Sequence, residues 1–204
     1  GGRPEATRLC QPWCYLSTGR IEKLRRNFDL QVQWVHFPLH PGTPREGQLL
    51  TDLFPGRDLR PMHQRMQQLM EAEGLPFSAR THTYNSRLAQ ELGAWADTQP
   101  GGEAIHDSLF RAYFVEGRNI GEIGVLADIA RAVGLPADEA RAVLTERRFK
   151  AAVDHDWDRS RAAGVTGVPT FACGGHQVVG AQPYEVIEEL VVQAGARPRT
   201  SGPS

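Results

Sequence analysis

Two cysteines near the amino terminus, Cys10 and Cys14, have the spacing that most directly indicates chemistry. The segment reads C-Q-P-W-C, and a helix is predicted from Cys14 to Asn27. A thiol attacks only as its thiolate, and the unpaired N–H groups and dipole at a helix start favour that anion. A second thiol within reach can then resolve a mixed disulfide. The pair therefore predicts dithiol–disulfide exchange, with three residues between the thiols where the usual motif has two.

A structural interpretation of the cysteines stays open beside this one. Cys10 and Cys14 could be small buried hydrophobic residues near a sheet edge. Residues four apart are neighbours on a helix, so a disulfide between them is possible rather than implied. Cys173 lies in the apolar strand pattern T-F-A-C, and we expect it to be packed and inert.

The elements that must position the cysteines alternate between strand and helix patterns. Segment 5–9 is short and poor in strand-forming residues, whereas Leu30–Phe37 predicts a strand. Helical patterns run from Met62 to Phe149, including one helix with Asn119 as its N-cap and Glu122 three residues later. The later elements are a helix over 151–163, a hairpin of strands 170–173 and 177–179, and a helix over 183–193. This order predicts an α/β unit interrupted by a helical insertion.

Composition and charge limit the classes of partner. The 204 residues contain 23 Lys and Arg against 24 Asp and Glu, for a formal net charge of -1. This balance argues against nucleic acid or an anionic membrane as a partner. No apolar run approaches the roughly 18 residues of a bilayer-spanning helix, and the first residues lack a secretory signal pattern. We therefore expect a cytoplasmic protein.

Several motifs carry a resemblance to a known family. They are P-W-C-Y-L at 12–16, T-Y-N-S-R-L-A at 83–89, F-R-A-Y-F at 110–114, G-V-T-G-V-P-T-F at 164–171 and G-A-Q-P at 180–183. With them, the chain resembles the DsbA-like branch of the thioredoxin superfamily, in particular FrnE-type proteins, which are related to 2-hydroxychromene-2-carboxylate isomerases. The resemblance implies an α/β, thioredoxin-like fold with a large helical insertion. It places the thioredoxin-like domain at 1–60 and 151–195, the insertion at 61–150 and a flexible tail at 196–204.

The same resemblance implies roles for individual residues. Pro169 would be cis and face the dithiol, leaving the backbone of Val168 to pair with an extended substrate peptide. Cys10 would attack and Cys14 resolve. Further substrate contacts are expected from Pro12 and Trp13 at the motif, and from Tyr84 and Asn85 beneath the insertion. Aligning P-W-C places Gln11, rather than Cys10, at the position of the family's attacking cysteine.

Three functions remain open from the sequence. The first is a thiol–disulfide oxidoreductase acting on protein or small-molecule disulfides. The second is a glutathione-dependent isomerase or transferase for a small aromatic or polyketide-like substrate, with a deep, largely apolar pocket near Tyr84, Asn85 and the helix carrying Cys14. The third is a redox-inactive protein that binds extended peptides. No cofactor is expected apart from glutathione, and a homodimer is a possible assembly.

Histidines and acidic residues do not form a predicted metal site. The seven histidines are scattered, and the acidic run from Asp154 to Asp158 is more typical of a solvated helix face. His36 and His40 flank the end of a predicted strand that faces the expected groove. Either could assist proton transfer, and a hydrogen-bonded structural role is the alternative.

Overall fold

The computed structural model describes residues 5–8, 12–38 and 40–200, with side chains described from residue 14 onward except at 39. Of the predicted site residues, Cys10 lies outside this description, and Pro12 and Trp13 are described by their backbone alone. The elements in chain order are β1 Glu5–Arg8, α1 Pro12–Asn27, β2 Phe28–Asp29, β3 Gln33–His36, β4 Gln48–Leu49, α2 Leu50–Leu53, α3 Arg60–Ala72, β5 His82–Thr83, α4 Arg87–Ala96, α5 Ala104–Phe114, α6 Ile123–Ala132, α7 Ala137–Thr145, α8 Lys150–Ala162, β6 Thr170–Cys173, β7 His176–Val179, α9 Tyr184–Gln193 and β8 Arg197–Pro198.

A four-stranded sheet in the order β3-β1-β6-β7 forms the centre of the thioredoxin-like part. Strand β1 runs parallel to β3 and antiparallel to β6. The expectation that segment 5–9 is poorly strand-like is wrong at 5–8, because pairing on both sides outweighs weak intrinsic propensity. The strand predicted over Leu30–Phe37 is shorter, since only Gln33–His36 joins the sheet.

The hairpin of β6 and β7 forms as its sequence predicts. Phe171 and Cys173 alternate along β6 and are both buried. Gly174 and Gly175 connect the strands with φ of 57° and 84°. A two-residue turn with positive φ at both positions matches the twist of an antiparallel pair, and glycine adopts it without a Cβ penalty.

Helix α6 begins later than its sequence predicts. The proposed N-cap, Asn119, instead accepts a hydrogen bond from the Gly121 N–H at 2.8 Å and so closes a turn before the helix. Glu122 is the N-cap residue, with extended backbone, and Ile123 is the first helical residue. A short amide side chain that captures a nearby backbone N–H competes with capping, which accounts for the three-residue shift.

Two clusters of buried side chains form the core, and α1 contributes to both. The larger core cluster contains Cys14, Tyr15 and Leu16 of α1 together with apolar residues of α3, α4, α5, α6 and α7. The smaller core cluster packs the second half of α1 against the sheet and α9; its buried members are Ile21, Leu24, Phe28, Phe171, Cys173, Ile187, Leu190 and Val191. The start of α1 is therefore covered by the inserted helices rather than by the sheet.

The buried carboxylate of Glu91 joins the inserted helices through hydrogen bonds. Glu91 on α4 is 1% exposed and accepts two hydrogen bonds from Arg147, at 2.8 and 2.6 Å, and one from Arg87 at 2.9 Å. The hydrogen bond to Glu91 is the main reason that the pKa of Arg147 is raised. Arg87 also donates to the Lys150 carbonyl at 2.8 Å and pairs with Asp154. The group joins α4 to the α7–α8 junction and to α8.

The first residues of the predicted flexible tail are paired in the structure. Strand β8 runs antiparallel to β2 at the end of α1. Arg199 donates its backbone N–H to Asn27 O at 2.8 Å and its side-chain Nε to Phe28 O at 3.0 Å. Residues 201–204 lie outside the description. Residues 197–199 thus have hydrogen-bond partners on β2 and at the end of α1, and the flexibility of the tail stays a prediction.

Candidate functional site

Cys14 lies in the first turn of α1 and is 5% exposed. The turn contains no acidic residue that would oppose a thiolate. Because a helix start favours a nearby anion, this position would favour the thiolate form of Cys14. Its distance to Cys10 is outside the description, so the predicted catalytic pair stays a prediction.

Tyr15 anchors this turn in the larger core cluster. Its ring stacks on Phe110 and Phe114 at centroid distances of 5.5 and 5.6 Å, and its hydroxyl donates to Pro76 O at 2.9 Å. Desolvation by burial is the main cause that raises the pKa of the phenol. Aromatic stacking of this kind contributes about 0.5–1.5 kcal/mol per pair beyond area burial. Helix α5 thereby fixes the residue next to Cys14.

The Val168–Pro169 peptide bond is cis, as the family resemblance implies. Val168 packs against the larger core cluster, the same cluster that contains Cys14. The Pro169 carbonyl accepts a hydrogen bond from the Gly180 N–H at 2.8 Å, which ties this segment to the loop after β7. The structure thus brings one predicted substrate-binding residue and one predicted catalytic residue to the same cluster.

Arg20 is a residue whose environment the sequence did not predict. Arg20 is a charged residue of α1, yet its side chain is only 13% exposed. The guanidinium donates to the carbonyls of Ala181 and Gln182 at 3.0 and 2.7 Å, and to Glu73 at 3.0 Å. Arg20 thus connects α1 to the loop that follows β7 and to the end of α3.

Tyr84 and Asn85 lie at the start of α4 and have intramolecular partners. Both side-chain N–H groups of Asn85 face backbone carbonyls, Thr43 O at 2.8 Å and Pro41 O at 3.3 Å, and its oxygen accepts from Arg87 N. The Tyr84 ring is half-buried against the larger core cluster. These contacts give Asn85 a role in holding the 41–43 loop, and a substrate contact by either residue stays a prediction.

A cleft with a volume of about 790 Å³ lies between α1, the start of β3 and α5. Thr18, one helical turn beyond Cys14, forms part of its wall, as do Trp34 and His106. His106 is buried and shares a hydrogen bond with Asp97. Tyr84 and Asn85 do not line this cleft, and the apolar pocket expected beside them stays a prediction.

Two residues singled out in the sequence, His36 and Cys173, are buried in the structure. His36 is 2% exposed, its backbone N–H donates to Asp156 at 3.1 Å, and its carbonyl accepts from Ser160 at 3.2 Å. Cys173 is 4% exposed, and desolvation raises its pKa, which favours the neutral thiol. The prediction that Cys173 is packed is confirmed. Both of these hydrogen bonds are made by the His36 backbone, so the role of its imidazole stays a prediction.

The acidic run on α8 is bonded to neighbouring side chains. Asp154 binds Lys150 and Arg87, and these hydrogen bonds lower its pKa. The Trp157 indole N–H donates to Gln90 at 2.8 Å. Over the described ranges, no group of three or more histidine, cysteine or acidic residues is arranged to hold a metal ion. Within the same ranges, no helix has the length and hydropathy to cross a bilayer.

A sheet with parallel β3 and β1, an antiparallel β6–β7 hairpin, a cis-proline before β6 and a cysteine in the first turn of α1 define a thioredoxin-like protein with a helical insertion. Residues 9–192 match the DSBA-like thioredoxin domain, and the chain belongs to that family.

Individual relatives agree with this family. A probable DsbA oxidoreductase from Streptomyces coelicolor has a crystal structure with a TM-score of 0.87, 28% identity, and coverage of 95% of this chain and 90% of its own. The uncharacterised protein YwbO of Bacillus subtilis is 26% identical over 187 residues, 88% of this chain and 90% of that protein. A 2-hydroxychromene-2-carboxylate isomerase shares the fold, with a TM-score of 0.75 at 17% identity over 93% of this chain and 94% of its own.

Proposed function

We propose that this chain is a thiol–disulfide oxidoreductase of the DsbA type in which Cys10 and Cys14 form the redox pair. The observation that carries the proposal is the position of Cys14, buried in the first turn of α1 and in the same core cluster against which Val168 packs. Helix starts favour thiolates, and thiolates carry out exchange.

Reduction of one substrate disulfide needs no reactant other than the two cysteines. The Cys10 thiolate attacks one sulfur of the substrate disulfide, which forms a mixed disulfide and releases the first substrate thiolate. The Cys14 thiolate then attacks the Cys10 sulfur and releases the second. The substrate gains two electrons, and the protein is left with a Cys10–Cys14 disulfide that reduced glutathione or another thiol can reopen.

The substrate is proposed to be an extended segment that carries a disulfide. It would pair with the backbone of Val168 beside Pro169, with Pro12 and Trp13 contacting it at the cysteine motif. We propose the reductive direction and a cytoplasmic setting, because the glutathione pool there keeps most exposed dithiols reduced.

A redox titration tests this function directly. The protein is equilibrated in buffers of defined glutathione ratio, and mixed disulfides are trapped by alkylation and located by mass spectrometry. Cys10→Ser should abolish exchange, and Cys14→Ser should accumulate a mixed disulfide at Cys10. Cys173→Ser is the matched control and should titrate like the wild type. Absence of any dithiol–disulfide interconversion in the wild type would refute the proposal.

The cleft beside α1 supports a second candidate, a glutathione-dependent isomerase or transferase for a small aromatic molecule. Its volume of about 790 Å³ lies within the range of small-molecule sites, and Trp34 and Phe110 line it. Calorimetry with glutathione tests this candidate. No binding at millimolar glutathione excludes it. Peptide binding retained by a Cys10→Ser, Cys14→Ser double variant without any exchange by the wild type would indicate a redox-inactive binding protein instead.

A further inference from the structure

The Arg20 side chain bonds α1 to the loop after β7. One nitrogen, Nη1, donates to two successive carbonyls, Ala181 O at 3.0 Å and Gln182 O at 2.7 Å. The side chain is 13% exposed, so these hydrogen bonds are largely shielded from water. A charged donor forms a stronger hydrogen bond to a carbonyl than a neutral donor does. Because these bonds are shielded from water, losing them costs more free energy than losing exposed ones.

The loop that Arg20 binds is bonded in turn to the Val168–Pro169 segment. Gly180 donates its N–H to Pro169 O at 2.8 Å, and Gln182 donates its N–H to Gly180 O at 2.8 Å. The Gln182 side chain also donates to Val179 O at 2.6 Å, which closes the loop on itself. A displacement of the loop is therefore transmitted to the Pro169 carbonyl.

Glu73 fixes the orientation of the guanidinium from the opposite side. It follows the last residue of α3 and accepts from Arg20 Nε at 3.0 Å. With Nε bound to Glu73, Nη1 is directed at the two carbonyls.

Arg20 and Cys14 share one rigid element. They are six residues apart on α1, which is about 9 Å along the helix axis at 1.5 Å per residue. The Cys14 thiol lies in the first turn of α1, and the loop after β7 is bound through Arg20 further along the same helix. The helix therefore fixes the distance between the thiol and this loop.

We propose that Arg20 is a positioning residue which, through the loop Gly180–Gln182, sets the Val168–Pro169 segment at the distance from Cys14 that a docked disulfide substrate requires. This inference rests on the proposed oxidoreductase function. Arg20 does not touch the substrate. Its role is to align the substrate-binding backbone with the thiol, so its loss affects large substrates that use this backbone more than small reagents that do not.

The test compares Arg20→Met and Arg20→Lys with Arg26→Met, an exposed arginine on the same helix. Each variant is assayed for reduction of a peptide disulfide and for alkylation of its thiols by iodoacetamide. Arg20→Met should lose at least tenfold in kcat/KM on the peptide, mainly through KM, while its alkylation rate stays within twofold of the wild type. Arg20→Lys should recover part of the loss, and Arg26→Met should match the wild type.

Hydrogen exchange of the Gly180 amide is the second measurement. Its exchange should be at least tenfold faster in Arg20→Met, because the bond to Pro169 O is no longer supported. The positioning role is overturned if Arg20→Met keeps the wild-type kcat/KM on the peptide. It is also overturned if the variant loses peptide reduction and thiol alkylation to the same extent. If the wild type shows no thiol–disulfide exchange, the oxidoreductase function fails. The hydrogen-exchange rate of the Gly180 amide then decides alone whether Arg20 holds the Val168–Pro169 segment. An unchanged rate in Arg20→Met overturns the inference, and a faster rate supports it.

Discussion

Replacing Glu91 by glutamine removes the charge at the centre of the inserted helices with almost no change of shape. Glu91 is 1% exposed and accepts three hydrogen bonds from two arginines. Removing one partner of a buried ion pair costs about 3–5 kcal/mol, because the remaining charges lose their compensation. Arg147 is 40% exposed and Arg87 keeps its bonds to Asp154 and Lys150, so both arginines retain some compensation for their charge. The lower end of this free-energy range therefore applies. We expect Glu91→Gln to lower the free energy of unfolding by about 3 kcal/mol.

Thermal and urea unfolding measure this effect. A chain of this size loses about 2–4 °C in Tm per kcal/mol, so Tm should fall by roughly 6–12 °C. The matched control is Glu146→Gln, which breaks an ion pair with Arg148 whose side chains are 57% and 47% exposed. Exposed pairs contribute about 0–1 kcal/mol, so this variant should unfold close to the wild type. Equal Tm values for the two variants would refute the reasoning.

Three further predictions concern the surroundings of the site. Gly47→Ala should destabilise the protein by about 2–4 kcal/mol in urea unfolding, because its Cβ would lie 2.5 Å from the Tyr84 ring at a φ of 90°. Gly56→Ala, with a φ of 73° and open space, should cost only about 1–2 kcal/mol, and an equal cost at both sites would contradict the clash. Cys173 should resist alkylation in the native protein, because burial raises its pKa, and rapid labelling detected by mass spectrometry would disprove this. The raised pKa of Tyr15 keeps the phenol protonated in the folded chain above pH ~10, where an unfolded tyrosine ionises. Stability should therefore decrease as pH rises above about 10, and Tyr15→Phe should reduce that slope in urea titrations at several pH values.

Local patterns predicted the fold where the pattern itself decides the structure. The strand patterns at 170–173 and 177–179 predicted the β6–β7 hairpin, and the helical patterns from Met62 to Phe149 predicted the region that contains α3, α4 and α5. Strand β1 was underestimated because its place depends on β3 and β6, which are distant in sequence. The start of α6 was misplaced because Asn119 has two competing local uses, a cap and a turn.

The candidate site was predicted in part. The resemblance indicated Val168 and Pro169, and the cis bond is present. Arg20 was missed because a helical pattern shows which face is apolar but not which loop will cover it. A signal was available, since Arg20 lies four residues from both Leu16 and Leu24, which are buried at 1% and 3% exposure.

The division of α1 between two cores has a consequence for how this scaffold can change over evolution. Cys14, Tyr15 and Leu16 pack with the inserted helices, whereas Ile21 and Leu24 pack with the sheet and α9. The insertion is therefore not an exchangeable module, because excising it would expose Cys14, Tyr15 and Leu16 to solvent. A change in the packing of α5, which stacks on Tyr15, would alter the surroundings of Cys14 and leave the contacts of the sheet with α9 in place.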